Sequence, residues 1–244
     1  MIKKIKIAFI IVLSSAVAYI LYSYVPYRFE FAGHYDKIWA HRNNSIEKAN
    51  ITENYFKGLE LDLVYHKNED FLDVNHPPAT SIHLSFDNYV AALKKQPFLW
   101  LDIKNLKENN ASLILNKLQQ IIQKHKYPLS KILVETRYPN ALVHFTKYGF
   151  KTSYYLPFLY KLDSVNVKKE LLNIQKTLDL QQNIGISFYY RDYELIRNLY
   201  PNKTKYTWIT DGVRQRNFKL AKKILNDTTV KVVLIRFKTF KGHR

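Results

Sequence analysis

From residue 27 onward, short runs rich in β-branched and aromatic residues alternate with amphipathic stretches. The runs fall at 37–41, 58–65, 98–104, 131–136, 149–156, 183–188, 205–210 and 230–237, eight in all. Between them, apolar residues at helical spacing are clearest in two places. Leu113, Leu115, Leu118, Ile121 and Ile122 mark 111–125, and Val167, Leu171, Ile174 and Leu178 mark 165–180. Weaker patterns predict helices at 44–56, 85–95, 140–148, 192–199 and 217–225, the first capped by Asn44 or Ser45. Strand–helix alternation at this spacing predicts βαβ units and a parallel sheet. Eight such units predict an α/β chain closed into a (β/α)8 TIM barrel. An open doubly wound sheet is the alternative. Against it, Gly33 and Gly58 stand alone, and no glycine-rich nucleotide loop follows an early strand.

Ahead of this pattern lies a run without charge from residue 7 to 25, preceded by Lys3, Lys4 and Lys6. Its length approaches the roughly 20 residues that span hydrocarbon. Positive residues before it favour an inside amino terminus, which places the rest of the chain outside the cytoplasm. Two segments follow: 1–26 as an N-terminal hydrophobic helix acting as membrane anchor, and 27–244 as the barrel. A cleaved signal sequence is the rival, although Ser23-Tyr24-Val25-Pro26 makes a poor small-residue cleavage site. A buried helix is the third option.

Composition narrows the chemistry. Absence of cysteine excludes disulfides, a thiol nucleophile, thiolate metal sites and a lipid-modified amino-terminal cysteine. The net charge of +18 favours anionic partners in general, including lipid headgroups and phosphorylated molecules. The lysines are scattered and no recognition motif for nucleic acid is evident, so no specific nucleic acid is expected. The oligomeric state is not legible.

Barrel enzymes carry their chemistry at the C-terminal ends of the strands. The first run ends in His41-Arg42-Asn43-Asn44, the second holds Glu60 and Asp62, and the third holds Asp102 and Lys104. A loop supplies Asp73-Val74-Asn75-His76. Glu60 and Asp62, two apart on a strand, point to one face. Two acids inside a barrel repel unless a proton or cation compensates. With Asp102 from the neighbouring strand they form an oxygen ligand set for one divalent ion, Mg²⁺ or Ca²⁺, with Mn²⁺ a further option. His41 and His76 are candidates for proton transfer, since an imidazole near its free pKa can serve as acid or base. Arg42 can fork onto a phosphate, and Lys104 can stabilise equatorial oxygens as charge shifts. Asn44 can orient phosphate or water, and Trp208 can wall the substrate site. The bland readings stand beside these: salt bridges for Arg42 and Lys104, a helix cap for Asn44, core packing for Trp208. Glu135 is a reserve acid.

The order His41-Arg42, Glu60-x-Asp62, His76, Asp102-x-Lys104 resembles the glycerophosphodiester phosphodiesterase family, within the wider phosphatidylinositol-phospholipase-like barrel superfamily. Trp208-Ile209-Thr210 is similar to that family's seventh-strand tryptophan–threonine. The resemblance implies an acid/base pair of His41 and His76, a metal held by Glu60, Asp62 and Asp102, and attack on phosphorus by a neighbouring hydroxyl of the substrate. Four departures stand out. The family's glycine after His-Arg is Asn43, its Pro-Glu-Asn-Thr segment is missing, its His-Asp is His76-Pro77, and its third acid is Asp102 rather than Glu. Asn44 with Asp102 resembles the sphingomyelinase D branch, and Asn44-Ser45 is similar to the menorin-type branch.

The sequence therefore predicts a metal-dependent phosphodiesterase acting on glycerophosphodiesters or lipid headgroups. A non-catalytic or weakly catalytic envelope protein that binds anionic lipid or glycan on the same barrel is the alternative. A nucleic-acid phosphodiesterase is the third.

Overall fold

The protein is described here by a computed structural model covering residues 2–22, 24–210 and 217–239. Helix α1 (Ile2–Tyr22) is long and apolar enough to cross a bilayer, and none of its apolar stretch is buried against the rest of the chain. At about 1.5 Å per residue it spans roughly the thickness of the hydrocarbon layer.

Eight parallel strands follow and close into a barrel: β1 (Ile38–Ala40), β2 (Gly58–His66), β4 (Phe98–Ile103), β5 (Ile132–Thr136), β6 (Lys151–Tyr155), β7 (Gly185–Tyr189), β8 (Lys205–Ile209) and β9 (Val230–Ile235). Closure runs through β1, which pairs with β9 on one side and β2 on the other. Connecting them are α2 (Ile46–Thr52), α3 (Phe86–Ala92), α4 (Ala111–Lys124), α5 (Pro139–Tyr148), α6 (Ser164–Leu180), α7 (Tyr193–Leu199) and α8 (Phe218–Asn226). The eight strands and seven connecting helices lie within a few residues of the positions that the hydrophobic pattern predicts. The open-sheet alternative falls, because the β1–β2 pairing leaves no parallel edge.

Local chemistry sets the helix starts. Ser45 and Ser85 accept the backbone N–H groups of Lys48 and Asn88, and Asp163 accepts those of Val165 and Asn166. Ser45, rather than Asn44, is thus the cap of α2. Pro139 opens α5, where its missing N–H costs no helical bond.

One element departs from expectation. Asp73 and Val74 lie in a ninth strand, β3 (Phe71–Val74), rather than in a loop. β2 is nine residues long and overhangs the barrel. Its last four residues, Leu63 to His66, pair antiparallel with β3 through a tight turn in which Asp70 takes a left-handed conformation. A four-residue run gives too short a period to read, so sequence pattern misses it.

Alternation along the strands separates two cores. Leu59, Leu61 and Leu63 of β2 and Leu99, Leu101 and Ile103 of β4 face outward under the helices and are fully buried. Inside the barrel, Trp100 packs edge-on against Tyr206 at 5.5 Å, giving the polar layer above an apolar floor. Trp39 stacks on Phe98 near the opposite end. Gly58 makes that packing possible, for a Cβ there would lie 2.1 Å from the Trp39 ring. Gly58→Ala should therefore cost about 1–3 kcal/mol of stability through overpacking, read as a lowered urea midpoint with unchanged m-value.

Candidate active site and metal centre

Parallel register fixes the centre. Asp62 is level with Asp102 across β2 and β4, and Glu60 lies one inward position below Asp62. Their side chains converge, with one carboxylate oxygen from each within 4.8 Å of the others, all buried. Lys104 reaches back over this group. Its Nζ lies 2.6 Å from Asp62 Oδ1 and also bonds Asp102 Oδ2. Burial opposes charge on Lys104, yet Asp102, Asp62 and Glu60 hold its pKa above that of an ordinary lysine. One ammonium does not balance three carboxylates. Burial and then Asp62 push the Glu60 pKa well up, and burial raises that of Asp102 despite Lys104. Three hard oxygen donors with an excess of two negative charges fit a divalent cation such as Mg²⁺ or Ca²⁺.

The end of β1 wraps around this group. Arg42 takes a left-handed backbone conformation, φ 54°, and its N–H donates to Glu60 Oε2 at 2.6 Å. His41 Nε2 lies 3.6 Å from the same oxygen. Its Nδ1 is buried without a hydrogen-bond partner among the described residues. Burial, then Arg42, Lys48, Lys104 and Arg236, hold the His41 pKa well below its ordinary value, so the ring is neutral at pH 7. Asn44 grips Asp62 twice: its Nδ2 donates to Oδ2 at 2.7 Å, and its Oδ1 accepts the Asp62 N–H at 3.0 Å. Asn44 therefore orients one carboxylate of the cluster. Asn43 is a staple, donating to Ala40 O at 2.7 Å and accepting from Thr52 Oγ1 at 2.7 Å.

His76 comes from the segment after β3, and its Nε2 lies 2.8 Å from Arg42 Nη2. Guanidinium only donates, so Nε2 accepts here and any ring proton sits on Nδ1. Both imidazoles, the three acids, Arg42, Lys104 and Trp208 line one cleft of about 170 Å³ at the C-terminal ends of the strands. Every site residue proposed from sequence is thus at this mouth, Asn44 standing behind Asp62.

Arg236, Tyr155 and Phe158 line the cleft and escaped the sequence reading, and so did Lys48 behind it. Arg236 follows β9 directly, and Tyr155 and Phe158 lie at and just beyond the end of β6. They form a wall with Trp208, whose ring meets Tyr155 at 4.9 Å. Lys48 lies beneath, donating to the carbonyls of His41 at 2.9 Å and Arg42 at 2.6 Å, its pKa lowered by burial to about 8. Glu135 sits beside Asp102 in register. Burial and Asp102 raise its pKa well up, and its Oε2 has no partner among the described residues. Beyond Arg42 and His76 the cleft opens into a groove of about 960 Å³, flanked by Ile46, Val74, Ile82 and Leu84.

A cation on this group should stabilise the fold. At about 100 times its Kd it contributes ~2.7 kcal/mol, or roughly 5–10 °C in Tm. Asp102→Asn should abolish that rise in a thermal melt with Mg²⁺, Ca²⁺ or Mn²⁺, while leaving the metal-free Tm near that of the parent.

No family model and no curated protein matches the chain by sequence. Solved structures do match by shape. An Oleispira antarctica phosphodiesterase, in complex with its product sn-glycerol-3-phosphate, superposes with TM-score 0.59 at 13% identity, covering 82% of this chain and 92% of that one. A glycerophosphodiester phosphodiesterase from Thermotoga maritima gives 0.58 at 13%, covering 83% and 95%. Another from Parabacteroides distasonis gives 0.56 at 15%, covering 82% and 92%. The chain thus has the barrel fold of glycerophosphodiester phosphodiesterases over nearly their whole length.

Proposed function

We propose that the protein is a divalent-metal-dependent phosphodiesterase of the glycerophosphodiester phosphodiesterase type. On this reading α1 anchors it and the barrel acts outside the cytoplasm. The observation that carries the reading is one cleft lined by two imidazoles, three converging carboxylates and a lysine. The glycerol 3-phosphate held by the Oleispira phosphodiesterase supports a phosphodiester with a glycerol side, free or as a lipid headgroup.

Glu60, Asp62 and Asp102 would hold the ion, Mg²⁺ or Ca²⁺ with Mn²⁺ as a further option, and it would supply Lewis acidity to the site when bound. His41, neutral because buried among cations, takes the proton from the attacking hydroxyl at Nε2. His76, on the other wall, takes up a proton at Nε2 once Arg42 turns to the phosphate and gives that proton to the leaving oxygen. Lys104 and Arg236 face the cleft and favour the charge that builds on the equatorial oxygens. Arg42 orients His76 in the free protein and is available to phosphate. The aromatic wall of Tyr155, Phe158 and Trp208 packs against the alcohol portion and keeps water from it.

The test is turnover of glycerophosphodiesters and phospholipids by the full chain in detergent, with each of the three metals. His41→Ala and His76→Ala should each lower the metal-dependent rate by about 10²-fold or more. Saturable lipid or glycan binding with no product would support the non-catalytic alternative instead.

A further inference from the structure

The loops around the mouth carry cations laid over aromatic rings. Beyond β4, Lys107 Nζ lies 5.2 Å from the centroid of Tyr138. Beyond β5, Arg137 lies 4.0 Å over Tyr155 and 5.4 Å over Phe158. Beyond β6, Lys161 lies 4.9 Å over Phe158 and 5.7 Å over Tyr160. Beyond β7, Arg191 lies 5.4 Å over Tyr160. All four cations are exposed, and so are Tyr138 and Tyr160. The strand-end loops and the helical turns just beyond them also carry exposed acids, Glu47, Glu69, Asp70, Glu108, Asp163 and Glu194, of which Asp70 pairs with Lys117, Glu194 with Lys223, and Asp163 caps α6. Paired rings and cations of this kind suit the headgroup layer of an anionic bilayer. The rings sit at the interface, and each basic side chain near such a surface strengthens association by roughly fivefold.

Helix α1 ends at the same rim. Tyr22, its last residue, packs on Phe29 at 5.8 Å and donates its hydroxyl to Glu30. Phe29 stacks at 5.9 Å on Phe218, which opens α8 on the mouth side. Phe29 is 67% exposed and Phe218 50%. A membrane crossed by α1 therefore begins beside the mouth rather than beside the opposite end.

We propose that the barrel rests mouth-first on an anionic membrane surface, with Lys107, Arg137, Lys161 and Arg191 in the headgroup layer. This rests on the anchoring role of α1 and is independent of the chemistry proposed above. It narrows the substrate to a phosphodiester presented in that layer, and the groove beside Val74, Ile82 and Leu84 gives its apolar portion a place to lie. The opposite end of the barrel is basic too, with Lys57, Lys131, Lys151 and Lys231 around a pit floored by Trp39 and Phe98. The two ends can be set against each other.

Because the chain has no cysteine, single spin labels can be placed by Tyr160→Cys at the mouth and Lys151→Cys at the far end. The full chain is reconstituted into vesicles of phosphatidylglycerol with phosphatidylcholine, and into phosphatidylcholine alone. On the anionic vesicles the label at 160 should be shielded severalfold from a water-soluble nickel chelate, while that at 151 stays accessible. High salt, or Arg137→Glu with Lys161→Glu and Arg191→Glu, should expose 160 again while α1 keeps the chain on the vesicle. Equal accessibility at the two positions, protection at 151, or protection unchanged on neutral lipid overturns the proposal. A chain that high salt strips from the vesicle overturns the anchor. Hydrolysis has no part in the readout, so failure of the catalytic reading is seen separately.

Discussion

Three carboxylates meet in the dry upper layer of the barrel because the register of β2 against β4 leaves them no other place. At 4.8 Å and an effective dielectric of about 20, each like-charged pair costs roughly 3.5 kcal/mol. Lys104 offsets part of this by bonding Asp62 and Asp102, while burial, and for Glu60 the neighbouring Asp62 as well, still pushes the pKa of Glu60 and Asp102 up. A fold that sought stability alone would not keep this arrangement, since apolar side chains of similar volume would pack there at no electrostatic cost. The cluster makes sense as a place prepared for a cation.

The surroundings follow from that constraint. Acids that repel must be held, and each has a holder. Asn44 fixes Asp62 from both its side chain and its backbone. The backbone N–H of Arg42 fixes Glu60, which requires the left-handed turn at Arg42. That turn would leave the carbonyls of His41 and Arg42 without partners, and Lys48 reaches up from α2 to bond both. The cationic field of Lys48, Arg42 and Arg236 then adds to burial in keeping His41 neutral. The orientation of the acids and the proton state of the imidazole thus share a common origin at the end of β1.

The barrel was legible in the sequence because each strand is buried on both faces and each helix on one, which imposes readable periods. The acid cluster was legible for the same reason, since a charged residue inside an apolar run announces itself, as Glu60, Asp62 and Asp102 do. What was not legible has no such contrast. Tyr155 and Phe158 look like core, and only their position past a strand end makes them a wall. Arg236 lies within the predicted 230–237 strand, and the true end of β9 at Ile235 turns it into a mouth residue. Lys48 reads as one more surface lysine on an amphipathic helix. β3 depends on the overhang of β2, a tertiary fact that four residues cannot signal.

The departures from the phosphodiesterase pattern also sort themselves physically. Where the resembled family has glycine, Asn43 occupies a buried corner and uses its amide to tie β1, β2 and α2 together. Asp for Glu at 102 is one methylene shorter, and Lys104 spans the gap from above by bonding both Asp62 and Asp102. By contrast, His41, His76, Glu60, Asp62 and Lys104 are of the same type and in the same order as in the resembled pattern. The same barrel is built here at only 13–15% identity to the solved structures, so the shape alone does not carry the chemistry, which rests on the particular side chains at the mouth.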